Sequence, residues 1–538
     1  VSKLVSIWHF TVRAGLSDSL GGVMVQTRIH DFLSEAVTAR GAEQALIDFT
    51  DRTYSWDDLQ TAVDDAEAEL KAIGLRPGDR VVLVFENCIS AAAFIFAASR
   101  MDAIVVVVNA RLTGAELERI IAHSDPSIVV FCTQASDAAQ AHSVECSATK
   151  VYGAFVEAAI FKRASSTPEP VFSAPSEQVA ILLYTSGTTG APKAAMLTHG
   201  NLIAAAHASA KVRDMVATDM CYLALPLSHI FGLVTFLAVC SAKAAMRLEA
   251  KFSVERLYDA LQSNVTHLPA VPQMHAHLFH YVREQNKPAC NRGVLRYVSS
   301  GGAPLDPVWK REAEAFYGLA LQNGYGLTES AAGVCLTVNK LGDPDISAGR
   351  PMQGCVLKLD MHSVGAEPDK GIGEILIGGP QVMKGYFRDA DESAKVLTDD
   401  GFFRTGDLGR CDEEGRLHIV GRSKELIIRS GFNVYPVEVE AALTDHPEVI
   451  VAGVVGRTVS GNEEVLGFVK IAPECTLTET DLKAFVHDKL APYKRPSRII
   501  LAPDLPAAPT GKILKSKLID FFSKDLTNPQ ESETGGGI

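Results

Sequence analysis

What the chain lacks narrows its function first. Across 538 residues there is no C-x-x-C pair, and the ten cysteines, Cys88, Cys132, Cys221, Cys335 and Cys411 among them, show no Cys/His spacing of the zinc kind. Scattered cysteines without a framework read as reduced, mostly buried thiols, and a cytoplasmic location is expected. Positive charge is not in excess either: the formal net charge is -13. Nonspecific binding to nucleic acid or to an anionic membrane needs a cationic surface that releases counterions, so neither is an expected partner. Long apolar runs are missing as well. The longest, such as Phe231 to Ala242, fall short of the roughly 20 residues that span a bilayer, so they predict core elements and no integral membrane contact. No internal repeat recurs at a solenoid period.

What is present is enough apolar material, 47% of residues, to fill more than one core, so a multidomain protein is expected. Residues 1–23 carry Lys3 and Arg13 around a short apolar run but no long apolar region, so they read as a disordered extension or tag before Met24. From Ile47 onward, short β-branched runs alternate with Gly/Pro/Asp turns and Ala-rich helical stretches, which is α/β patterning. Ala91 to Arg100 predicts a helix, Ile104 to Val108 a buried strand, and Pro126 to Cys132 a turn and another apolar strand. The Ser/Pro/Ala-rich stretch Ala164 to Glu177 is expected to be a loop that closes a first subdomain before a second sheet begins. Beyond Gly421 the pattern changes to a charged turn, an apolar strand, a helix at Glu438 to Leu443 and a βαβ-like remainder, which predicts a separate small domain. Asn528 to Ile538 is polar and Gly-rich, and disorder is expected there.

The strongest local signal is YTSGTTGAPK, Tyr184 to Lys193, directly after the apolar strand Val179 to Leu183. Two glycines, four Ser/Thr hydroxyls and a lysine at a strand exit can surround phosphate oxygens with N–H groups, hydroxyls and one cation. The spacing departs from the G-x-x-x-x-G-K-[ST] loop, because Pro192 precedes Lys193 and no Ser/Thr follows. The whole string resembles the phosphate loop of the adenylate-forming superfamily, which includes acyl-CoA synthetases, firefly luciferase and peptide-synthetase adenylation domains. Further motifs follow in that family's order over about Arg28 to Leu518: LPLSHIFG (Leu225 to Gly232), SSGGAP (Ser299 to Pro304), NGYGLTES (Asn323 to Ser330), TGD (Thr405 to Asp407), GRSKELIIRSGFNVYP (Gly421 to Pro436) and PTGKILKSKL with Lys512.

The resemblance implies a role for each matching position. Thr185, Ser186, Gly187, Thr188, Thr189, Gly190 and Lys193 would hold the ATP phosphates, and Gly302, Ala303 and Pro304 the adenine. Asn323, Gly324, Tyr325 and Gly326 would form the central nucleotide contact, with the Tyr325 ring stacking and the two glycines admitting close backbone approach. Thr328 would offer its hydroxyl to the α-phosphate and Glu329 a hard oxygen to Mg²⁺. Asp407 and Arg422 would take the ribose, and His229, Val271, Gly301 and Leu327 would border the acyl pocket. Lys424 would be a hinge residue, while Ser430, Gly431 and Phe432 would approach coenzyme A. Lys512 would bridge the substrate carboxylate and the α-phosphate as the catalytic lysine, with Thr328, Glu329 and His229 completing the catalytic set. Lys515 and Lys517 read as solvated charges. Two departures stand out: Ala194 where the family usually has Gly, and an altered segment at Gly456 to Val469.

The implied fold is α/β: a large N-terminal domain over 24–422 of stacked α/β subdomains with mixed sheets, a hinge at 423–424, a small mobile α+β domain over 425–522, and a tail over 523–538. The implied activity is an AMP-forming acyl-CoA synthetase that uses ATP, Mg²⁺ and coenzyme A. Little chain follows Lys512, which argues against a fused carrier domain, so the alternatives are loading of a separate acyl carrier protein, a luciferase-like oxygenase, or a noncatalytic homologue. Pro226 to Gly232 has neither the carboxylate that an amino acid's ammonium would need nor the Arg that a dicarboxylate would need. The expected substrate is therefore a fatty or aromatic acid. Oligomeric state is left open, a homodimer being one option.

Overall fold

The computed structural model describes residues 26–163, 166–185, 193–290, 293–302, 305–430, 432–459, 462–472, 474–507 and 513–527. The expectations for residues 1–23, for Ser186, Gly187, Thr188, Thr189 and Gly190, for Ala303 and Pro304, for Gly431, for Lys512 and for Asn528 to Ile538 lie outside them.

The described residues fall into two compact units. One draws on the described residues of 26–302, Glu312–Lys358 and Leu376–Arg404, the other on those of 305–311, Leu359–Ile375 and 405–527. The first is built on two mixed sheets. A seven-stranded sheet has the strands Arg80–Phe85, Ile104–Asn109 and Ile128–Phe131 paired in parallel at its centre. Arg80–Phe85 is buried along its whole length, as expected of a strand covered on both faces. The helix Ile89–Arg100 is likewise buried on nearly every side, which explains its apolar composition all round.

The loop after Ala164 does not end this sheet. Val179–Thr185 returns to pair in parallel with Ile104–Asn109, and Lys193–Thr198 adds to it antiparallel. Conversely, the early strands Gln44–Ile47 and Thr53–Ser55 join the second sheet, where Gln44–Ile47 pairs in parallel with Ala245–Leu248. Subdomain membership follows hydrogen-bond partners far along the chain, not the loop. The second sheet has nine strands and continues through Met220–Leu223, His267–Ala270, Tyr297–Gly301 and Leu321–Leu327 to antiparallel edge strands at Ala332–Leu336 and Arg350–Pro351. The apolar stretch at Phe231 lies in the helix Ile230–Ser241, buried almost throughout. Among the described residues no helix is long and apolar enough to cross a membrane.

In the second unit, Val449–Val459 and Asn462–Ile471 form a long antiparallel pair, and Arg498–Ala502 joins the latter in parallel after the helix Glu479–His487. That is the βαβ-like remainder expected from the sequence. The helix Pro436–Thr444 packs its Val439, Ala442 and Leu443 into the same core. All ten cysteines are free, and Cys88, Cys132, Cys221, Cys240, Cys290 and Cys335 are buried.

Candidate active site

Two parallel strands and one helix start define a cavity in the first unit. Tyr297–Gly301 runs beside Leu321–Leu327, setting Ser300 opposite Asn323 and Gly301 opposite Gly324. Facing them, the helix Ile230–Ser241 begins at His229, whose Nδ1 accepts from the Phe231 N–H at 3.3 Å. A side chain at Gly232 would put its Cβ 2.1 Å from the Pro226 carbonyl oxygen, so the Pro226 to His229 turn can fold back onto the helix only with Gly there. The space between is a cavity of about 100 Å³ walled by Ile230, Phe231, Val234, Leu336 and Met352, with His229, Gly301, Gly302 and Tyr325 on its lining.

Of the residues expected at the site, His229, Gly301, Gly302, Gly324, Tyr325 and Gly326 line this cavity, while Val271 and Leu327 do not. Val271 instead caps the helix Pro272–Glu284. Asn323 is buried, with Nδ2 donating to the Ser347 carbonyl at 2.9 Å. The glycine at 326 answers to a strand contact, since a Cβ there would sit 1.6 Å from the Ala332 carbonyl oxygen. Just beyond the Thr328–Ser330 turn, Ala331 and Ala332 both take positive φ, 46° and 76°. Consecutive non-Gly residues in that region store backbone strain, which clusters at functional sites.

The lining is not uncharged. Arg213, at the C-terminal end of the helix His199–Val212, reaches the cavity together with Ser209, Thr235 and Ser299. Sequence inspection of Pro226 to Gly232 missed it because the guanidinium comes from the preceding helix, across the strand Met220–Leu223. Behind Ser299, His275 is fully buried, its Nδ1 2.8 Å from the Tyr317 hydroxyl and its Nε2 3.2 Å from the Ser299 carbonyl. Burial lowers its pKa to about 4, so the ring is neutral.

Around the expected phosphate loop, Thr185 and Lys193 are cross-strand partners. The Lys193 ammonium pairs with Glu392 and lies 5.5 Å from the centre of the Tyr386 ring. Lys193 first and then Lys395 hold the Glu392 carboxyl at about 2. The Tyr386 hydroxyl donates to Glu329 Oε1 at 2.8 Å, and the Glu329 carbonyl accepts from the Met383 N–H. Tyr386, Met383 and Glu392 carried no sequence signal. Ala194 packs its methyl into the apolar cluster with Phe387, so this departure from Gly is absorbed by the core. Mg²⁺ keeps only one or two protein carboxylates when phosphates supply its remaining oxygens. The half-buried Glu329 carboxylate, with Thr328 beside it, fits such a cation. No cluster of three His/Cys/Asp/Glu occurs among the described residues.

In the second unit, Asp407 and Arg422 are cross-strand neighbours joined by an ion pair of 2.9 Å from Nε to Oδ1. Asp407 is buried, and the Gly406 N–H beside it donates to Glu374. Lys424 is exposed in the short turn Ser423–Glu425. Ser430 has φ 53° and its N–H donates to Asn462, while Phe432 stacks on Tyr493 at 4.7 Å. Lys517 is exposed as expected. Lys515 is not a solvated charge: it bridges Glu425 at 2.7 Å and Glu440 at 2.8 Å, because the chain fold brings both carboxylates to a half-buried position.

Residues 33–387 match the model of the AMP-binding enzyme family, and residues 438–512 that of the AMP-binding enzyme C-terminal domain. The chain belongs to the AMP-binding enzyme family. Within that family its similar proteins are CoA ligases, the AMP-forming acid–thiol ligase branch. It is 31% identical over 519 residues to a 4-coumarate–CoA ligase-like protein 6 of Arabidopsis thaliana, covering 90% of this chain and 89% of that one. It is 28% identical over 464 residues to the long-chain-fatty-acid–CoA ligase FadD13 of Mycobacterium tuberculosis, covering 84% and 90%. Among solved structures, ATP-bound MatB from Rhodopseudomonas palustris superposes with a TM-score of 0.80 at 28% identity over 94% of this chain and 100% of that one. AMP-binding enzymes of this fold have the two-part α/β architecture described above.

Proposed function

We propose that this AMP-binding enzyme activates a carboxylic acid with ATP and then transfers the acyl group to coenzyme A. The observation that carries this reading is the meeting of Lys193 and Glu329 on one side chain, Tyr386, at the end of the strand whose Tyr325 lines the acid cavity. A cation for phosphate and a hard anion for a metal are thereby held just beyond the strand that walls the cavity.

In the first step a carboxylate oxygen of the acid attacks the α-phosphorus, the bond to the pyrophosphate oxygen breaks, and a mixed anhydride with AMP remains. Bound Mg²⁺ would neutralise phosphate charge, held by Glu329 and aided by the Thr328 hydroxyl. Lys193 binds phosphate oxygens. Lys512 places its ammonium between the carboxylate and the α-phosphate, where negative charge builds. Tyr325 stacks on adenine and His229 stands at the mouth of the acid cavity. Asp407 accepts from the ribose hydroxyls, with Arg422 fixing its orientation through their ion pair. In the second step the sulfur of coenzyme A attacks the acyl carbon and AMP leaves. Ser430, Gly431 and Phe432 guide the thiol arm, and Lys424 is the pivot whose backbone changes between the steps.

The apolar part of the walls suits the carbon skeleton of a fatty or aromatic acid. The test is pyrophosphate release over a panel of such acids, with and without coenzyme A. Acid-dependent release together with coenzyme A-dependent thioester is the expected result. Release without any thioester on coenzyme A, but with transfer to a carrier protein, would move the acceptor to that protein. Absence of acid-dependent release would refute the reading.

A further inference from the structure

The walls of the acid cavity leave one strong cation without a counter-ion. Arg213 is 7% exposed and lines the cavity. One arm of its guanidinium is used: Nη1 donates to the Ser209 carbonyl at 3.1 Å and to the Ser209 hydroxyl. The ring of Tyr297 lies with its centre 5.9 Å from Cζ. Nε, although buried, has no hydrogen-bond partner. The acids nearest in sequence are already engaged, since Arg296 takes Asp214 at 3.4 Å and Asp219 at 2.6 Å. Among the described residues the contacts of the Arg213 guanidinium are those with Ser209 and the Tyr297 ring, and none is with a carboxylate. A second orphan faces the same space, for the buried Thr235 hydroxyl also lacks a partner and lines the cavity.

A guanidinium cannot lose its charge at any ordinary pH, so it cannot relieve burial by deprotonation as a lysine can. A helix C-terminus favours a cation and accounts for the bond to Ser209. It does not account for a buried N–H with no acceptor, which is rare in folded proteins and points to an absent partner. The partner that fits is a planar anion, because the guanidinium edge matches a carboxylate in charge and in shape.

We infer that the acid taken by this cavity carries a second anionic group, a carboxylate at its far end, bound by Arg213 with the Thr235 hydroxyl. This rests on the ligase reading and deepens it: the apolar walls hold the spacer, and the reacting carboxylate remains at the Gly301 and Tyr325 end. Of the strand Tyr297–Gly301, the residues Ser299, Ser300 and Gly301 line the cavity together with Arg213.

The experiment measures pyrophosphate release by the full chain with ATP and Mg²⁺, using straight dicarboxylic acids from succinic to sebacic acid, each beside the monocarboxylic acid of equal length. The expected result is a kcat/KM for the best diacid at least about 10-fold above its matched monoacid. Arg213→Gln should shrink that ratio by roughly 10- to 100-fold, and Arg213→Lys should restore part of it. Thr235→Val, a near-isosteric change, should lower the same ratio a few-fold and serves if the Arg213 variants do not fold. Preference of the native protein for the monoacids, or an equal loss for both acids in Arg213→Gln, overturns the inference while leaving the ligase reading intact. Failure of every acid in both series removes the ligase reading and this inference with it.

Discussion

The Tyr386 hydroxyl donates to Glu329 Oε1 at 2.8 Å while the Lys193 ammonium lies over the same ring. Burial, and then the Glu329 charge, raise the tyrosine pKa, so this hydroxyl is a donor at every working pH. Removing it in Tyr386→Phe frees the carboxylate to turn away from the metal position. Pyrophosphate release should fall about 10-fold, the scale of one hydrogen bond to a charged group, and its Mg²⁺ dependence should move to higher concentration. An unchanged Mg²⁺ curve would show that Tyr386 does not orient Glu329.

Lys512→Ala should separate the half-reactions. Loss of one electrostatic contact to a developing charge lowers turnover roughly 100- to 1,000-fold. Adenylation should fall by that much, and thioester formation from preformed acyl-adenylate should persist. Equal loss of both steps would contradict the role given to Lys512.

Lys515 sits between Glu425 and Glu440, and its pKa is raised because those carboxylates outweigh the burial that opposes its charge. Lys515→Met leaves two carboxylates together at a half-buried site, so the second unit should lose about 2 kcal/mol or more. Burial already raises the Glu440 pKa, and loss of the ammonium raises it further. A folded pKa above the unfolded one means that the native state binds the extra proton, so stability falls as pH rises through that window. The deficit of the variant should therefore be larger at pH 8 than at pH 5, as followed by urea unfolding. A deficit independent of pH would exclude Glu440 as the stranded group.

His275 gives the opposite slope. Its folded pKa of about 4 lies below the ordinary histidine value of 6.5, so the unfolded chain binds the proton first and stability falls as pH drops from about 6.5 toward 4. Between pH 7 and pH 5 this one ring should contribute a loss of roughly 2 kcal/mol. His275→Gln, which stays neutral, should show a shallower decline in unfolding midpoint over that range. A slope equal to that of the native protein would place the pH sensitivity elsewhere.

These cases mark what the amino-acid text could carry. Ile104–Asn109 and Ile89–Arg100 were legible because elements buried on all sides are continuously apolar. The sheet boundary assumed near Ala164 was not, since the strand that continues the sheet pairs with residues some seventy positions earlier. Lys515 was misread for the same reason: its partner Glu425 is 90 residues away and only the fold joins them. Motif strings located Lys193, Tyr325 and Glu329 because local chemistry defines them. Arg213 escaped because its helix carries no such string and its side chain matters only through what surrounds it.

The late return of Val179–Thr185 to the flank of Ile104–Asn109 has a cost during biosynthesis. Translation proceeds at about 5–20 residues per second, so the nascent strand waits for several seconds with one edge bare. An open, valine-rich ribbon of that kind invites pairing with other polypeptides. Yield in a heterologous host should therefore depend on chaperone supply and on slow, cool expression more than on the equilibrium stability of the finished enzyme.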